Sequence, residues 1–176
     1  MLVLVIGLLI FFGIHLVPTQ VGLRRGLVQR FGEGAYKGLF ALVSVIGLAL
    51  IIMGYAKLQG GPVGKNPEIW SPPFWLRHVS LLLMIPAIIL LVAAYVPSRI
   101  RTIAKHPMLV AIKLWALAHL LANGDLASIV LFGSFLAYGV FDRISVKRRE
   151  ALGPLGARQG GLAGDVTVVI VGLAVY

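Results

Sequence analysis

The sequence contains no cysteine and few ionisable side chains. The missing thiols exclude disulfides, zinc or iron-sulfur sites built on thiolates, and thiolate-ligated haem. Charged residues make up only 12% of the 176 residues whereas 59% are hydrophobic, and a soluble domain needs about twice that share of charge to cover its surface. The composition therefore predicts a membrane protein, whose metal chemistry depends on four histidines and six carboxylates.

Apolar stretches with little or no charge recur from the first residue to the last. They cover residues 2–14, 38–56, 79–96, 107–122, 126–141 and 166–176. Several are shorter than the roughly 20 residues that cross the hydrocarbon of a bilayer, so flanking residues must extend the helices. We therefore predict an all-α fold, a polytopic membrane helix bundle of about six transmembrane helices, in a single domain over residues 1–176.

Basic residues are concentrated in alternate connections between these helices. Twelve of the sixteen lie in the first, third and fifth connections: Arg24, Arg25, Arg30, Lys37, Arg99, Arg101, Lys105, Arg143, Lys147, Arg148, Arg149 and Arg158. The positive-inside rule makes that side cytoplasmic and places the N-terminus outside. Topology in a lipid bilayer thus explains the net charge of +10. Because the chain has no basic stripe interleaved with aromatic residues, we predict no nucleic-acid partner.

The four histidines alternate in depth along the predicted helices. His15 and His106 fall toward the cytoplasmic side, and His78 and His119 toward the outer side. His119 lies deep in an apolar helix, where an imidazole is costly and usually faces the bundle interior. One interpretation is an axial haem ligand; the alternative is a hydrogen bond to Asn123, Asp125 or a serine. For His15 and His78 the alternative to a functional role is an interfacial residue.

His106 and Pro107 are typical of the first turn of a helix. Proline loses nothing there, because its missing N–H would be unpaired anyway. The exposed amides favour an anionic group, and Lys113 lies on the same stripe seven residues further on. Lys105, His106 and Lys113, with Arg148 and Arg149, are therefore predicted to form an entrance for an anionic head. The alternative is that Lys113 only snorkels to the membrane surface.

Small and turn-forming residues predict where helices approach and where one begins. Gly47 and Gly54 lie seven residues apart, and Gly133 and Ala137 four apart, spacings that allow close packing in lipid. Asn123-Gly124-Asp125 predicts a tight turn between antiparallel helices, with Asp125 as the N-cap of the second.

A long motif carries a family resemblance. It reads KHPMLVAIKLWALAHLLANGD from Lys105 to Asp125, followed by LFGSF at 131–135. Gly13-Ile14-His15, Arg24, Gly32-Glu33 with Tyr36, and Pro97-Ser98-Arg99-Ile100 fit the same pattern. The chain resembles the bacterial NnrU-like integral membrane proteins over essentially its whole length.

The resemblance implies two settings. Bacterial members are associated with denitrification, around production of active nitrite and nitric-oxide reductases, which implies an inner-membrane protein with such a reductase as partner. Plant relatives are zeta-carotene isomerases, which hold haem b through histidines and isomerise a lipophilic polyene. By motif, the counterparts of the haem ligands here are His15 and His119, with His106 in reserve. An accessory factor without enzymatic activity is the alternative.

The cytoplasmic entrance is also similar to that of membrane methyltransferases that bind S-adenosylmethionine. Those proteins usually have Arg before His-Pro, a glycine four residues after the proline, and paired glutamates after the next helix. Here Lys105, Ala111 and the lone Glu150 stand instead. These departures count against a methyltransferase.

Overall fold

A computed structural model describes residues 1–61, 65–150 and 158–176. In these ranges the backbone forms helices and no β-strand, which confirms the all-α prediction. The α-helices are α1 (Leu2–Leu16), α2 (Val21–Phe31), α3 (Glu33–Gln59), α4 (Phe74–Ala93), α5 (Arg99–Ala104), α6 (Pro107–Ala122), α7 (Leu126–Arg148) and α8 (Leu162–Val175), and a short 3-10 helix, Val17–Thr19, follows α1.

Each of the six predicted apolar stretches falls mainly in one of these helices; residues 94–96 follow the end of α4 and Tyr176 follows the end of α8. Four helical stretches are long and apolar enough to cross a membrane: Leu2–Thr19, Glu33–Gln59, Phe74–Ala93 and Leu126–Arg148. The other two, α6 and α8, are apolar but shorter. α3 reaches 27 residues and α7 reaches 23, because polar flanking residues extend their apolar cores as the length argument requires.

Contacts between helices divide the described chain into two compact units. The first comprises Met1–Ile69 and Asp125–Leu131, and the second comprises Trp70–Gly124 and Phe132–Tyr176. Helix α7 therefore starts in the first unit and continues in the second.

Helices α1 and α3 of the first unit touch backbone to backbone. A Cβ atom added at Gly54 would lie 2.5 Å from the backbone nitrogen of Leu4, and one at Gly47 would lie 2.8 Å from that of Phe11. Glycine at both positions is required for this approach, which confirms their predicted role. The same prediction is wrong for Gly133, where no described atom lies within 4 Å of an added Cβ.

The start of α7 is held by side chains and backbone of the first unit. The amide of Ser128 donates to Oδ1 of Asp125 at 2.9 Å, which confirms the predicted N-cap. Asn66 Oδ1 accepts from the amide of Ala127, and the Pro67 carbonyl from that of Leu126, both at 2.9 Å. Three otherwise unpaired amides of the first turn are thereby satisfied.

The Asp125 carboxylate is the centre of a polar cluster. Burial alone would raise its pKa, but hydrogen bonds from Ser128, Asn66 and Gln59 outweigh burial and lower the pKa of Asp125 below its usual range. Ser128 is fully buried, and its hydroxyl also lies 2.9 Å from the hydroxyl of Tyr55. The cluster fixes the end of α3 against the beginning of α7.

In the second unit α4 packs against α6 and α8. A Cβ at Gly172 of α8 would meet the side chain and backbone of Ile89, so this contact is also close. Asp165 at the start of α8 accepts hydrogen bonds from the backbone amides of Arg99 and Ile100, at 2.7 and 3.2 Å. The carboxylate of α8 therefore caps the start of the short helix α5. Ser98 is the N-cap residue of α5, and its side chain accepts from the amide of Arg101.

Candidate functional site: the His119 groove

The imidazole of His119 has a defined orientation in α6. Its Nδ1 lies 2.8 Å from the backbone carbonyl of Trp115, one turn earlier. A carbonyl only accepts, so Nδ1 carries the proton and donates to it. In the neutral ring this leaves the Nε2 lone pair available, and Nε2 has no hydrogen-bond partner among the described residues. Such an imidazole is suited to bind a metal through Nε2.

Aromatic rings hold the imidazole on two sides. Phe132 stacks on His119 with ring centroids 4.4 Å apart and planes 29° apart, and the Trp115 centroid lies 5.1 Å away. The polar partners predicted for His119 do not bind its ring. Instead, the side-chain amide of Asn123 donates to the backbone carbonyl of His119 at 2.9 Å.

His119 lines a groove of about 650 Å³ within the second unit. Helix α4 contributes Arg77, Met84 and Ile88 to its lining, and Asn123 follows α6. A smaller groove of about 170 Å³ shares Met84 and Ile88 with it and is lined by apolar side chains, including Trp115. The larger groove therefore includes polar and basic side chains, whereas the smaller one is lined by apolar side chains.

His15 belongs to the first unit and has a similar local geometry. Its Nδ1 donates to the carbonyl of Phe11 at 2.7 Å, and its ring stacks on that of Phe11 with centroids 4.1 Å apart. The ring of Phe40 in α3 lies 5.0 Å away. His15 and His119 are thus each oriented by the carbonyl four residues earlier and contacted by aromatic rings. The two histidines belong to different units of the chain.

His106 and Lys113 do not line the groove that holds His119. His106 precedes α6 as its N-cap residue, with Pro107 in the first turn as predicted. Burial and then the charge of Arg143 lower the pKa of His106, and Asp142 partly opposes them. The stem of Lys113 packs on Gly139 of α7, where an added Cβ would lie 2.9 Å from Cγ.

The predicted cationic entrance also contains an acidic group. Arg149 pairs with Asp142 at 3.3 Å, and its Nε donates to the hydroxyl of Ser145 at 3.1 Å. Part of the positive charge at this end of the second unit is therefore neutralised within α7 and its C-terminal extension. An anionic ligand has fewer available partners there than the basic run in the sequence indicates.

Sequence reasoning did not identify Arg77 as a residue of the His119 groove. Arg77, Met84 and Ile88 repeat at intervals of seven and four residues, which places them on one side of α4. That spacing was visible in the sequence, but the opposing helix that makes it a groove was not. The remaining histidine, His78, is exposed and meets Phe74 edge to face at 5.2 Å.

No three His, Asp or Glu side chains cluster as metal ligands within 1–61, 65–150 and 158–176. The sites at His15 and His119 thus each offer one imidazole. A haem iron binds one such ligand on each face.

The helices and the two histidine sites define a class: a polytopic α-helical membrane protein with imidazoles set in aromatic surroundings. The family model described as NnrU protein matches residues 3–176. The chain belongs to the NnrU family. No curated protein and no solved structure matches it.

Proposed function

We propose that this protein binds haem b, with the imidazole of His119 as a ligand of the iron. The observation that carries the proposal is that His119 lines a groove of about 650 Å³ while its Nδ1 donates to the Trp115 carbonyl, which leaves Nε2 as the nitrogen that can bind a metal. In metal-binding histidines, a hydrogen bond from the ring nitrogen that does not bind the metal sets the tautomer and orientation of the ring. The bond from Nδ1 of His119 is of this kind. Bound haem would supply an iron that changes redox state; the chain supplies the imidazole and the apolar walls.

The adjoining apolar groove favours a lipophilic substrate rather than a purely accessory role. Its lining, which includes Met84, Ile88 and Trp115, suits a hydrocarbon chain better than a polar ligand. We therefore propose a redox-controlled, isomerase-type reaction on a lipophilic molecule; a role in nitrogen-oxide respiration is the alternative that the family resemblance implies. An accessory factor for a nitrite or nitric-oxide reductase would need a partner surface and no such groove.

The optical spectrum of the detergent-purified protein tests the proposal. Protein produced with sufficient haem is expected to show a Soret band that coelutes with the chain and shifts on reduction with dithionite. Pyridine haemochrome analysis then identifies the haem type. Protein that remains colourless after incubation with excess haemin would refute haem binding.

We further propose that the protein lies in the bacterial inner membrane with its N-terminus outside. The twelve basic residues in alternate connections support this orientation. Alkaline phosphatase fused after Arg30 is expected to be inactive, because the fusion stays in the cytoplasm, and active after Lys65. The reverse pattern of activities would show that the orientation in the membrane is the opposite one.

A further inference from the structure

Helix α2 has a surface that no other part of the described chain covers. None of its eleven residues is buried, and Val21, Leu23 and Phe31 remain 50%, 52% and 57% exposed. Arg24, Arg25 and Arg30 are exposed as well. In water the exposed apolar side chains of this short helix would have no partner. At a membrane surface the apolar side chains contact lipid tails and the arginines contact phosphate groups.

The order of these residues gives the helix one apolar stripe, with Val21 and Val28 outside it. At 3.6 residues per turn, Leu23, Leu27 and Phe31 form one stripe, and Arg25 and Gln29 lie on the opposite side. Arg24 and Arg30 flank the apolar stripe on its two sides. Arginines in that position extend their long stems along apolar surface and place the guanidinium at the level of lipid phosphates.

Connectivity places this helix at a membrane surface. It follows Leu2–Thr19 and precedes Glu33–Gln59, two stretches that are long and apolar enough to span. An eleven-residue helix between two such spans is too short to cross, since it measures about 16 Å against a hydrocarbon core of about 30 Å. Gly32, with φ of 81°, permits the sharp change of direction into α3.

We propose that α2 is an interfacial helix that binds the phosphate groups of anionic phospholipids. Arg24 contributes most directly, because its guanidinium carbon lies 5.7 Å from the ring centroid of Tyr36, a contact that orients an otherwise exposed side chain. The guanidinium offers N–H donors to a phosphate oxygen. This inference is independent of haem.

Spin labelling tests how the helix lies, and the cysteine-free sequence makes it direct. Full-length Leu23→Cys and Gln29→Cys variants, each labelled with a nitroxide in anionic liposomes, differ only in which side of α2 carries the probe. We expect the label at position 23 to collide more with oxygen, which concentrates in lipid, and the label at 29 more with a water-soluble nickel chelate. Equal exposure of both labels to the chelate would overturn the proposal.

Lipid selectivity tests the role of the arginines. Native mass spectrometry of the detergent-solubilised protein, titrated with phosphatidylglycerol or phosphatidylcholine, should show tighter binding of the anionic lipid. The Arg24→Gln/Arg30→Gln variant is expected to bind phosphatidylglycerol about five-fold more weakly for each arginine removed. The matched variant Lys57→Gln/Lys65→Gln loses the same charge from exposed residues at and after the end of α3 and should retain the preference. An equal loss in both variants would show that net charge alone attracts the lipid, and would overturn a site at α2.

Discussion

Replacing His119 with alanine is expected to lower the haem content of the purified protein at least tenfold. The substitution removes the imidazole of the His119 groove, while Phe132 and Trp115, whose rings contact that imidazole, are left unchanged. A His119→Gly variant leaves room for free imidazole, so added imidazole should restore the Soret band. Haem is measured by the pyridine haemochrome method and normalised to protein.

His78→Ala is the matched control, because it removes an exposed histidine of the second unit whose ring meets that of Phe74 edge to face. It is expected to keep full haem content. If His119→Ala retained haem while remaining monodisperse, the ligand assignment would be wrong even though the protein bound haem.

The spectral type separates one protein ligand from two. If His15 is the second ligand, His15→Ala should convert a six-coordinate low-spin spectrum into a high-spin one. If His119 binds alone, the spectrum of the unmodified protein is already high-spin and His15→Ala leaves it unchanged. Electron paramagnetic resonance of the oxidised protein distinguishes these cases, independently of any catalytic assay.

Replacing Gly54 with alanine is expected to destabilise the first unit strongly. The new Cβ would lie 2.5 and 2.7 Å from backbone atoms of Leu4, which no side-chain rotation relieves, so α1 and α3 must separate. Forcing a group into a close-packed contact typically costs about 1–3 kcal/mol. A clear fall in the thermal unfolding midpoint in detergent is the expected result.

Gly38→Ala supplies the control on the same helix. No described atom lies within 4 Å of its added Cβ, and alanine favours a helix over glycine by up to about 1 kcal/mol. Its unfolding midpoint should therefore stay the same or rise. Equal destabilisation by both substitutions would show that α3 tolerates no added methyl group anywhere, and that contact with α1 is not the cause.

Features that depend only on residues close together in the sequence could be predicted from the sequence alone. The apolar stretches located the spanning helices, Asp125 was identified as the cap of α7, and Pro107 as the first residue of α6. Each follows from interactions within about four residues, which a linear sequence displays directly. Family membership followed from motifs of the same local kind.

Which faces of the helices meet was decided only by the tertiary structure. In lipid both the packed and the exposed side of a helix are apolar. The hydrophobic pattern therefore says little about how each helix is rotated about its own axis. Gly54 is enclosed whereas Gly133 is open, although both occur in small-residue patterns. The carboxylate of Asp165 reaches the amides of Arg99 and Ile100, and Arg77 shares a groove with His119, because distant segments fold together.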